Sequence, residues 1–477
     1  MSYSDLRDWI EQARTIGEIK EVRGAHWDLE LGTISDLISK DRKTKPAILF
    51  DDVAGYPTGY RVLANTLSSM GRLTLTMEMP RDITQVEFIR EWRRRSKATQ
   101  DVSPMLVSSG PVLENVHTGE DIDMYEFPVP RYHELDGGRY LGTGSITITR
   151  DPDTGWVNVG TYRVMVQDKN TLAFYISPGK HGRIIREKYH AMGKPCPVAV
   201  CFGQDPILLL AGFLDLPHGQ SEFDFIGGLA GKPLEVIKGP ATGLPIPATA
   251  EIAIEGESYP GDTMIEGPFG EWTGYYASSA RAEPTIRVKT VMHRNSPIIC
   301  GSPPTRPPVS GHTLFPSLLQ SAMILDALEA AGVPDVCSVR SHELAGFSFV
   351  LIISIKQRYP GHARQAGLVA SQCRAGAYLG RYVIVVDDDI DPYNTDDVLW
   401  AMATRSEPEK DIEIIRRCWS GPLDPIIPIG QKGHNSRAII DACRPYEWIE
   451  QFPKVSDPSP ELAKKVMDKW GKALFED

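Results

Sequence analysis

Phe349-Val350-Leu351-Ile352-Ile353 and Tyr382-Val383-Ile384-Val385-Val386 are two short apolar runs on either side of a helical stretch from Ala363 to Tyr378. Apolar strand, helix, apolar strand is the pattern of a βαβ unit. The last third of the chain is therefore expected to be a small α/β domain, closed by a helix around Leu462, Val466 and Trp470. Upstream, Leu318 to Ala331 reads as a strong helix, and Ser302-Pro303-Pro304-Thr305-Arg306-Pro307-Pro308 before it places four prolines in six residues. Proline removes backbone donors and biases its predecessor to extended backbone, so this run reads as a linker. From about 116 to 300 the texture is short β-rich pieces punctuated by Gly and Pro, such as Gly144-Ser145-Ile146-Thr147-Ile148-Thr149, which predicts a mixed sheet or barrel. At the start, Leu6, Trp9, Ile10 and Ala13 fall at helical spacing after Ser4, with Gly17 as the stop. A second helix runs through Val86, Phe88, Ile89 and Trp92 to Arg93-Arg94-Arg95, where cations suit the helix C-terminus and read as a solvated end.

The size, 477 residues and 52.8 kDa, allows about three domains or two large ones. With 42% hydrophobic and 24% charged residues there is ample material for packed cores, which excludes a disordered effector. A net charge of -11 and no basic run beyond Arg93 to Arg95 argue against nucleic acid or an anionic membrane as partner. Seven scattered cysteines without a CxxC pair read as reduced cytosolic thiols. The N-terminus is amphipathic and shows no signal peptide, and the apolar stretches from Ile207 to Leu214 and Phe347 to Ile355 fall short of the roughly 18 residues of a membrane span. A cytoplasmic protein is the expectation.

The string with most chemical content is Glu266-Gly267-Pro268-Phe269-Gly270-Glu271-Trp272-Thr273-Gly274-Tyr275. Carboxylates five apart face opposite ways on a strand and diverge on a helix. Gly-Pro-Phe-Gly is turn chemistry, with Pro268 suited to a first central position, so the chain can reverse and bring both acids to one pocket. Two carboxylates with an arginine between them can hold different protonation states. Two exposed acids on a surface hairpin is the alternative. A second set comprises Asn158 in Asn158-Val159-Gly160-Thr161-Tyr162-Arg163, His181 in Gly179-Lys180-His181-Gly182-Arg183, and Glu222. Amide, imidazole and carboxylate suit Mn²⁺ or Mg²⁺ with positions open to phosphate and make a poor structural zinc site, although a histidine beside glycine is usually a loop residue. Arg163 offers a planar fork to a carboxylate substrate or to a glutamate, with a surface ion pair as the alternative. Nucleophilic Ser-His-Asp and Cys-His motifs, the dinucleotide fingerprint and the Walker phosphate loop are all absent, so covalent hydrolase, classical dinucleotide and ATPase readings have no support.

Together these strings, with Leu6-Arg7-Asp8-Trp9 at the start and Asp387-Asp388-Asp389-Ile390-Asp391 and Leu399-Trp400-Ala401-Met402-Ala403-Thr404-Arg405 near the end, resemble the UbiD family of decarboxylases, which use prenylated FMN. The resemblance spans nearly the whole chain. It implies an α/β (α+β) architecture: an N-terminal α/β domain over 1–115, a split β-barrel flavin-binding domain over 116–305, a linker and helix over 306–332, and a C-terminal α/β oligomerisation domain over 333–477. It implies that Asn158, His181 and Glu222 bind the divalent cation that holds the cofactor phosphate, and that Arg163, Glu266 and Glu271 form the catalytic network. Val159, Gly160, Thr161, Tyr162, Lys180, Leu216 and Pro217 would complete the cofactor site, with K⁺ on backbone carbonyls near Val159 and Leu216.

The implied reaction is reversible, non-oxidative decarboxylation of an aromatic or heteroaromatic acid, indole-, pyrrole- or phenazine-like, through a covalent adduct with prenylated FMN, with Glu271 as proton donor. A hydroxybenzoate-type acid is the alternative within the family, and a conventional FMN oxidoreductase or a non-catalytic flavin-binding assembly protein the alternatives outside it. His312, Ser348 and His434 are candidate substrate contacts. Catechol-acid members carry Lys where Ser348 falls, which weighs against a dihydroxybenzoate, and Lys432, His434 and Arg437 read as part of a loop. A separate flavin prenyltransferase would supply the cofactor, and a homodimer or homohexamer is expected.

Overall fold

The computed structural model describes residues 3–41, 45–142, 144–308, 311–428, 430–431 and 433–475. The opening helix forms at Leu6–Thr15: the Asp5 side chain caps it by accepting from Asp8 N, and Leu6, Trp9, Ile10 and Ala13 are its buried stripe. It packs beside a four-stranded sheet ordered Ile19–Arg23, Ala47–Asp51, Arg61–Ala64 and Ile298–Gly301. The fourth strand comes from the end of the middle region and runs parallel to Arg61–Ala64, so the chain returns to its first sheet before the proline-rich linker.

The middle region builds a curled, half-barrel sheet of ten strands. Its main path runs Arg139–Tyr140, Arg163–Val166, Thr171–Tyr175, Arg281–His293, Ile252–Ser258, Cys196–Cys201, Ile146–Arg150 and Val157–Gly160, with Thr263–Glu266 and Asn115–Thr118 also paired to the long strand Arg281–His293. Both faces of the sheet are covered. Along Cys196–Cys201, Ala199 and Cys201 enter one apolar cluster with Ile146, Ile207 and Phe223, while Val198 and Val200 enter another with Phe127, Phe174 and Ile254. Side chains alternate across a strand, so each burial class belongs to one face.

The helix predicted by Phe88, Ile89 and Trp92 spans Gln85–Ala98 and begins with a capping box between Thr84 and Glu87. Its arginine end is not simply solvated. Arg93 turns inward to Asp326 at 2.7 Å, on the long helix Gly311–Ala330, while Arg94 and Arg95 pair with Glu91 of their own helix. The C-terminal sheet follows the order Val336–Ser341, Val350–Ile355, Tyr382–Asp387, His434–Ala442 and Ile412–Trp419, with the two apolar strands parallel and Leu351 opposite Val383. The helix between them, His362–Gln372, stops earlier than its sequence pattern suggests, because the chain folds back sharply: Gly376 N and Ala377 N both bond to Cys373 O. The final helix, Pro460–Phe475, does not close this domain. Leu462, Val466, Met467 and Trp470 stay 42–52% exposed, so its apolar stripe lies outside the core. None of the described helices is long and apolar enough to cross a membrane.

Candidate active site

Strand register assembles the first constellation. Arg163 stands opposite Tyr175 in the hairpin of Arg163–Val166 and Thr171–Tyr175, and Glu266 stands opposite Arg281 where Thr263–Glu266 joins the long strand. Thr171–Tyr175 borders that same strand, so the two pairs meet. The guanidinium carbons of Arg163 and Arg281 lie 4.5 and 4.4 Å from the Tyr175 ring centre, within cation–π range.

Arg163 Nη2 donates to Glu266 Oε2 at 2.7 Å, and Nη1 donates to Glu271 Oε1. The second oxygen of Glu266 accepts the Tyr140 hydroxyl at 3.1 Å. Arg163, Glu266 and Glu271 are only 8, 0 and 6% exposed. The predicted reversal does bring the carboxylates together, by a route that differs from the expected turn: the Gly267-Pro268 peptide is cis and Gly267 has φ +85°. Backbone bonds from Gly137 N to Pro268 O at 2.8 Å and from Gly270 N to Asp136 Oδ1 at 2.9 Å hold the loop against residues 136–137. Gly137 is required there, since a Cβ would sit 2.1 Å from Gly267 O.

Two carboxylates share one buried cation, and keeping every charge would leave an uncompensated anion in a dry site. Burial pushes the Glu271 carboxyl up from its ordinary value, Arg163 opposes that shift and Glu266 adds to it. Burial alone would weaken the Arg163 guanidinium, but the charges of Glu271 and Glu266 outweigh it and hold Arg163 well above its usual value. Both oxygens of Glu266 are taken by donors, Arg163 Nη2 and the Tyr140 hydroxyl.

The second constellation lies at the other end of the segment that carries Arg163. Asn158 sits on Val157–Gly160, His181 opens the helix His181–Ala191 and Glu222 opens the helix Glu222–Ala230. Val159 N donates to Glu222 Oε2 at 2.8 Å. The Tyr162 hydroxyl accepts both Asn158 Nδ2 at 3.4 Å and Gly182 N at 3.1 Å, tying the asparagine to the start of the histidine's helix. Asn158 Nδ2 also reaches Thr149 Oγ1 at 3.4 Å, which occupies the amide's donor side and leaves its oxygen for a cation.

Glu222 is 2% exposed, and among the described residues no basic side chain pairs with it. Burial pushes its carboxyl up to about 7, against the backbone bonds that favour the charged form. His181 is pushed down by burial, so its imidazole is available as a neutral ligand; its ring lies 5.0 Å from Trp156 and 5.8 Å from His218. Thr161 Oγ1 is buried without a partner, and a Cβ at Gly160 would meet the Tyr162 hydroxyl at 2.4 Å. The donor set, the uncompensated carboxylate and the helix N-terminus at His181 therefore fit a divalent cation with an attached phosphate. Lys180 is exposed at the cap of that helix; Leu216 is half-buried against the core and Pro217 exposed on the 212–220 loop.

The substrate candidates fare differently. Ser348 is buried beside Phe347, whose ring lies 4.8 Å from that of Trp272, the residue after Glu271. The side chain of His312, and Lys432, lie outside the described residues. His434 is exposed at the start of a sheet strand opposite Trp419, and among the described residues no hydrogen bond or ion pair links it to the Arg163 cluster. Arg437 is not on a loop: it is 1% exposed within the same strand and donates to Gly376 O at 2.8 Å and Trp419 O at 3.1 Å. Sequence reasoning missed Tyr140, Tyr175 and Tyr378. Tyr175 was accessible from hairpin register, whereas Tyr140 meets Glu266 across 126 residues. Burial pushes the Tyr378 hydroxyl up to about 12, and Phe347 and Phe349 pack against Trp272, so the C-terminal region reaches this site.

Residues 10–92, 105–307 and 313–442 match, in turn, the 3-octaprenyl-4-hydroxybenzoate carboxy-lyase N-terminal domain, Rift-related domain and C-terminal domain. A pyrrole-2-carboxylic acid decarboxylase of Pseudomonas aeruginosa is 32% identical over 99% of both chains, and a phenolic acid decarboxylase of Bacillus subtilis is 32% identical over 93% of both. The UbiD-class enzyme HmfF from Pelotomaculum thermopropionicum, solved with FMN, superposes with a TM-score of 0.85 at 28% identity, covering 96% of this chain and 98% of its own. The vanillic acid decarboxylase of Sedimentibacter hydroxybenzoicus superposes at 0.83 with 28% identity, covering 100% and 99%. With the sequence related from end to end and the fold shared, the chain belongs to the UbiD family.

Proposed function

We propose that this protein is a prenylated-FMN-dependent carboxy-lyase that removes CO₂, reversibly, from an aromatic or heteroaromatic acid of the pyrrole-, indole- or phenazine-like kind. The observation that carries the reading is a buried glutamic acid, Glu271, that favours its proton beside an arginine anchored from the far side by Glu266. Arg163 Nε is buried and unpartnered, a charged donor left free for the carboxylate of a substrate.

Losing CO₂ from a ring carbon leaves an electron pair that no side chain can accept, and prenylated FMN supplies that electron sink when bound. Glu271 then hands its proton to the ring carbon that carried the carboxyl group, and in the carboxylation direction takes one from it. Arg163 orients the acid. Glu266, fixed by Tyr140, keeps Arg163 in place. Trp272, packed on Phe347 at 4.8 Å and Phe349 at 6.1 Å, joins the Glu271 loop to the C-terminal domain and keeps water away from the proton donor. Asn158, His181 and Glu222 would hold Mn²⁺ or Mg²⁺, which supplies positive charge for the cofactor phosphate, with K⁺ on carbonyls near Val159 and Leu216. FMN and prenylated FMN in structural relatives support the flavin, and an evolved dimeric form of one relative supports a homo-oligomer, here taken as a cytoplasmic dimer or hexamer.

The test is production of the protein with and without a flavin prenyltransferase, followed by a panel of aryl acids in deuterated buffer. The expected outcome is CO₂ release only from the prenyltransferase-matured protein, with deuterium at the former carboxyl carbon. No release from any acid, with ordinary FMN bound, overturns the reading. Phenolic acid decarboxylases are as similar to this chain as the pyrrole-acid enzyme, so hydroxybenzoates form the second arm of the panel.

A further inference from the structure

Asn115–Thr118 pairs antiparallel with Arg281–His293, placing His117 opposite Val291 and Asn115 opposite His293. Residues two apart on a strand share a face, so the two imidazoles lie diagonally on the same side of the sheet. Glu126 comes up between them from the turn Met124–Glu126. His117 Nδ1 is 3.4 Å from Glu126 Oε2, and His293 Nε2 is 3.5 Å from Glu126 Oε1. The three ligand atoms all lie within 4.8 Å of one another. Arg281, in the Arg163 cluster, stands 12 residues away on the same strand (293 − 281), up to about 40 Å at roughly 3.3 Å per residue. Among the described residues no hydrogen bond or ion pair joins the triad to Arg163, Glu266 or Glu271.

Hydrogen bonding does not account for the arrangement. The two contacts exceed the usual 2.7–3.2 Å of about any N–H···O bond. His293 Nδ1 faces Arg294 O at 2.9 Å and must donate to it, which leaves Nε2 as the ring nitrogen turned toward Glu126. That Nε2 is buried, on a side chain 3% exposed, and has no hydrogen-bond partner. Leaving such a polar atom without a partner costs free energy, and a bound cation would supply one. Two ligands each about 2.1 Å from a tetrahedral ion stand about 3.4 Å apart, close to the two imidazole–carboxylate separations here, and a modest side-chain adjustment brings the rest of the triad, already within 4.8 Å, to that spacing. The supporting contacts of a metal site are present too. The Arg294 carbonyl sets the His293 tautomer, the Tyr60 hydroxyl donates to Glu126 Oε1 at 3.0 Å, and the Phe127 ring packs 5.3 Å from that of His293.

We propose that His117, Glu126 and His293 bind a borderline divalent transition metal, Zn²⁺ by preference, with a water in the remaining position. Two imidazoles and a carboxylate suit such an ion better than Mg²⁺ or Ca²⁺. His117 and Glu126, 30% and 26% exposed, give it access from solvent. Bound metal clamps the 115–126 segment to the end of the longest strand of the sheet and stabilises the folded protein by mass action.

The test uses the full chain stripped with a chelator, titrated with Zn²⁺ against a competing indicator and followed in parallel by thermal unfolding. Wild-type protein should take up an equivalent, beyond any held at the Asn158 region, that His117→Ala and Glu126→Gln lose or bind at least about tenfold more weakly. Glu222→Gln should keep it, which separates this site from the Asn158 region. Zn²⁺ should raise the melting temperature of wild type and of Glu222→Gln by more than it raises that of either triad variant. His117 and Glu126 are part-exposed, so their variants remain foldable where His293→Ala would not. Equal stoichiometry and affinity in wild type, His117→Ala and Glu126→Gln overturn the proposal, as does Zn²⁺ uptake lost only in Glu222→Gln.

Discussion

The clusters around Arg163 and around Glu222 are both buried, yet they settle their charge in opposite ways. Arg163 sits between two carboxylates, and a hydroxyl satisfies the oxygen of Glu266 that the guanidinium leaves free. Apart from the unpartnered Arg163 Nε, that cluster pairs its charges within its own polypeptide, and burial raises the Glu271 carboxyl above its ordinary value. Glu222 has a backbone N–H and no counter-cation among the described residues. Burial pushes that carboxyl up to about 7, and the proposed divalent cation would supply the positive charge that its own polypeptide does not. On the proposed function, the closed cluster transfers a proton and the open one holds a cation.

The largest effect that would break this division is on Glu271. Glu271→Gln keeps the shape and loses the proton, so turnover should fall about 10³-fold, within the range of general acid catalysis, while flavin absorbance stays that of wild type. Near-normal turnover would mean that the closed cluster is structural. Next in size is the open cluster. Chelation, or Glu222→Gln, should weaken FMN binding by about 10- to 100-fold in fluorescence titrations, and Mn²⁺ should restore the chelated wild type but not the variant. Unchanged FMN affinity after chelation would remove the cation from the cofactor site.

The two clusters were unequally legible in the sequence. Gly267 and Pro268 announce a reversal, so the convergence of Glu266 and Glu271 could be read locally, although the cis peptide and its support from residues 136–137 could not. Arg163 against Tyr175 follows from hairpin register, which is also local. Tyr140 on Glu266, Tyr162 as the bridge between Asn158 and Gly182, and Tyr378 from the C-terminal domain depend on how distant strands and domains meet, and no periodicity encodes that. The same limit hid His117 and His293, which become neighbours only through the pairing of two strands far apart in sequence. At the level of architecture the two strands flanking a helix were plain. The last helix was readable as amphipathic, but its pattern could not tell that the apolar stripe would remain exposed.

A smaller effect sharpens the proton assignment. Turnover requires protonated Glu271, so it should fall on the alkaline side as that group titrates, with the midpoint above the ordinary glutamate range because burial raises it. Arg163 pulls the same pKa down. Removing its charge in Arg163→Gln should therefore move the descending limb of the residual activity to higher pH, and a shift to lower pH would show that another group gives the proton.

The smallest effect expected is at Tyr140, and it tests whether the closed cluster needs all its donors. Tyr140→Phe removes the hydroxyl from Glu266 Oε1 and leaves Arg163 Nη2 as that side chain's donor. The position is fully buried and the ring still packs 4.4 Å from Phe269, so shape is preserved and the loss is one hydrogen bond to a charged acceptor. Such a loss costs about 1–3 kcal/mol of stability, readable as a lower urea midpoint with an unchanged slope. Turnover should fall less than about tenfold, because Glu271 keeps its proton and Arg163 its anchor, and a shift of one pKa unit is worth only about 1.4 kcal/mol. A loss of turnover as large as that of Glu271→Gln would mean that the proton path runs through the tyrosine, and that the mobile proton belongs to the Tyr140–Glu266 pair rather than to Glu271.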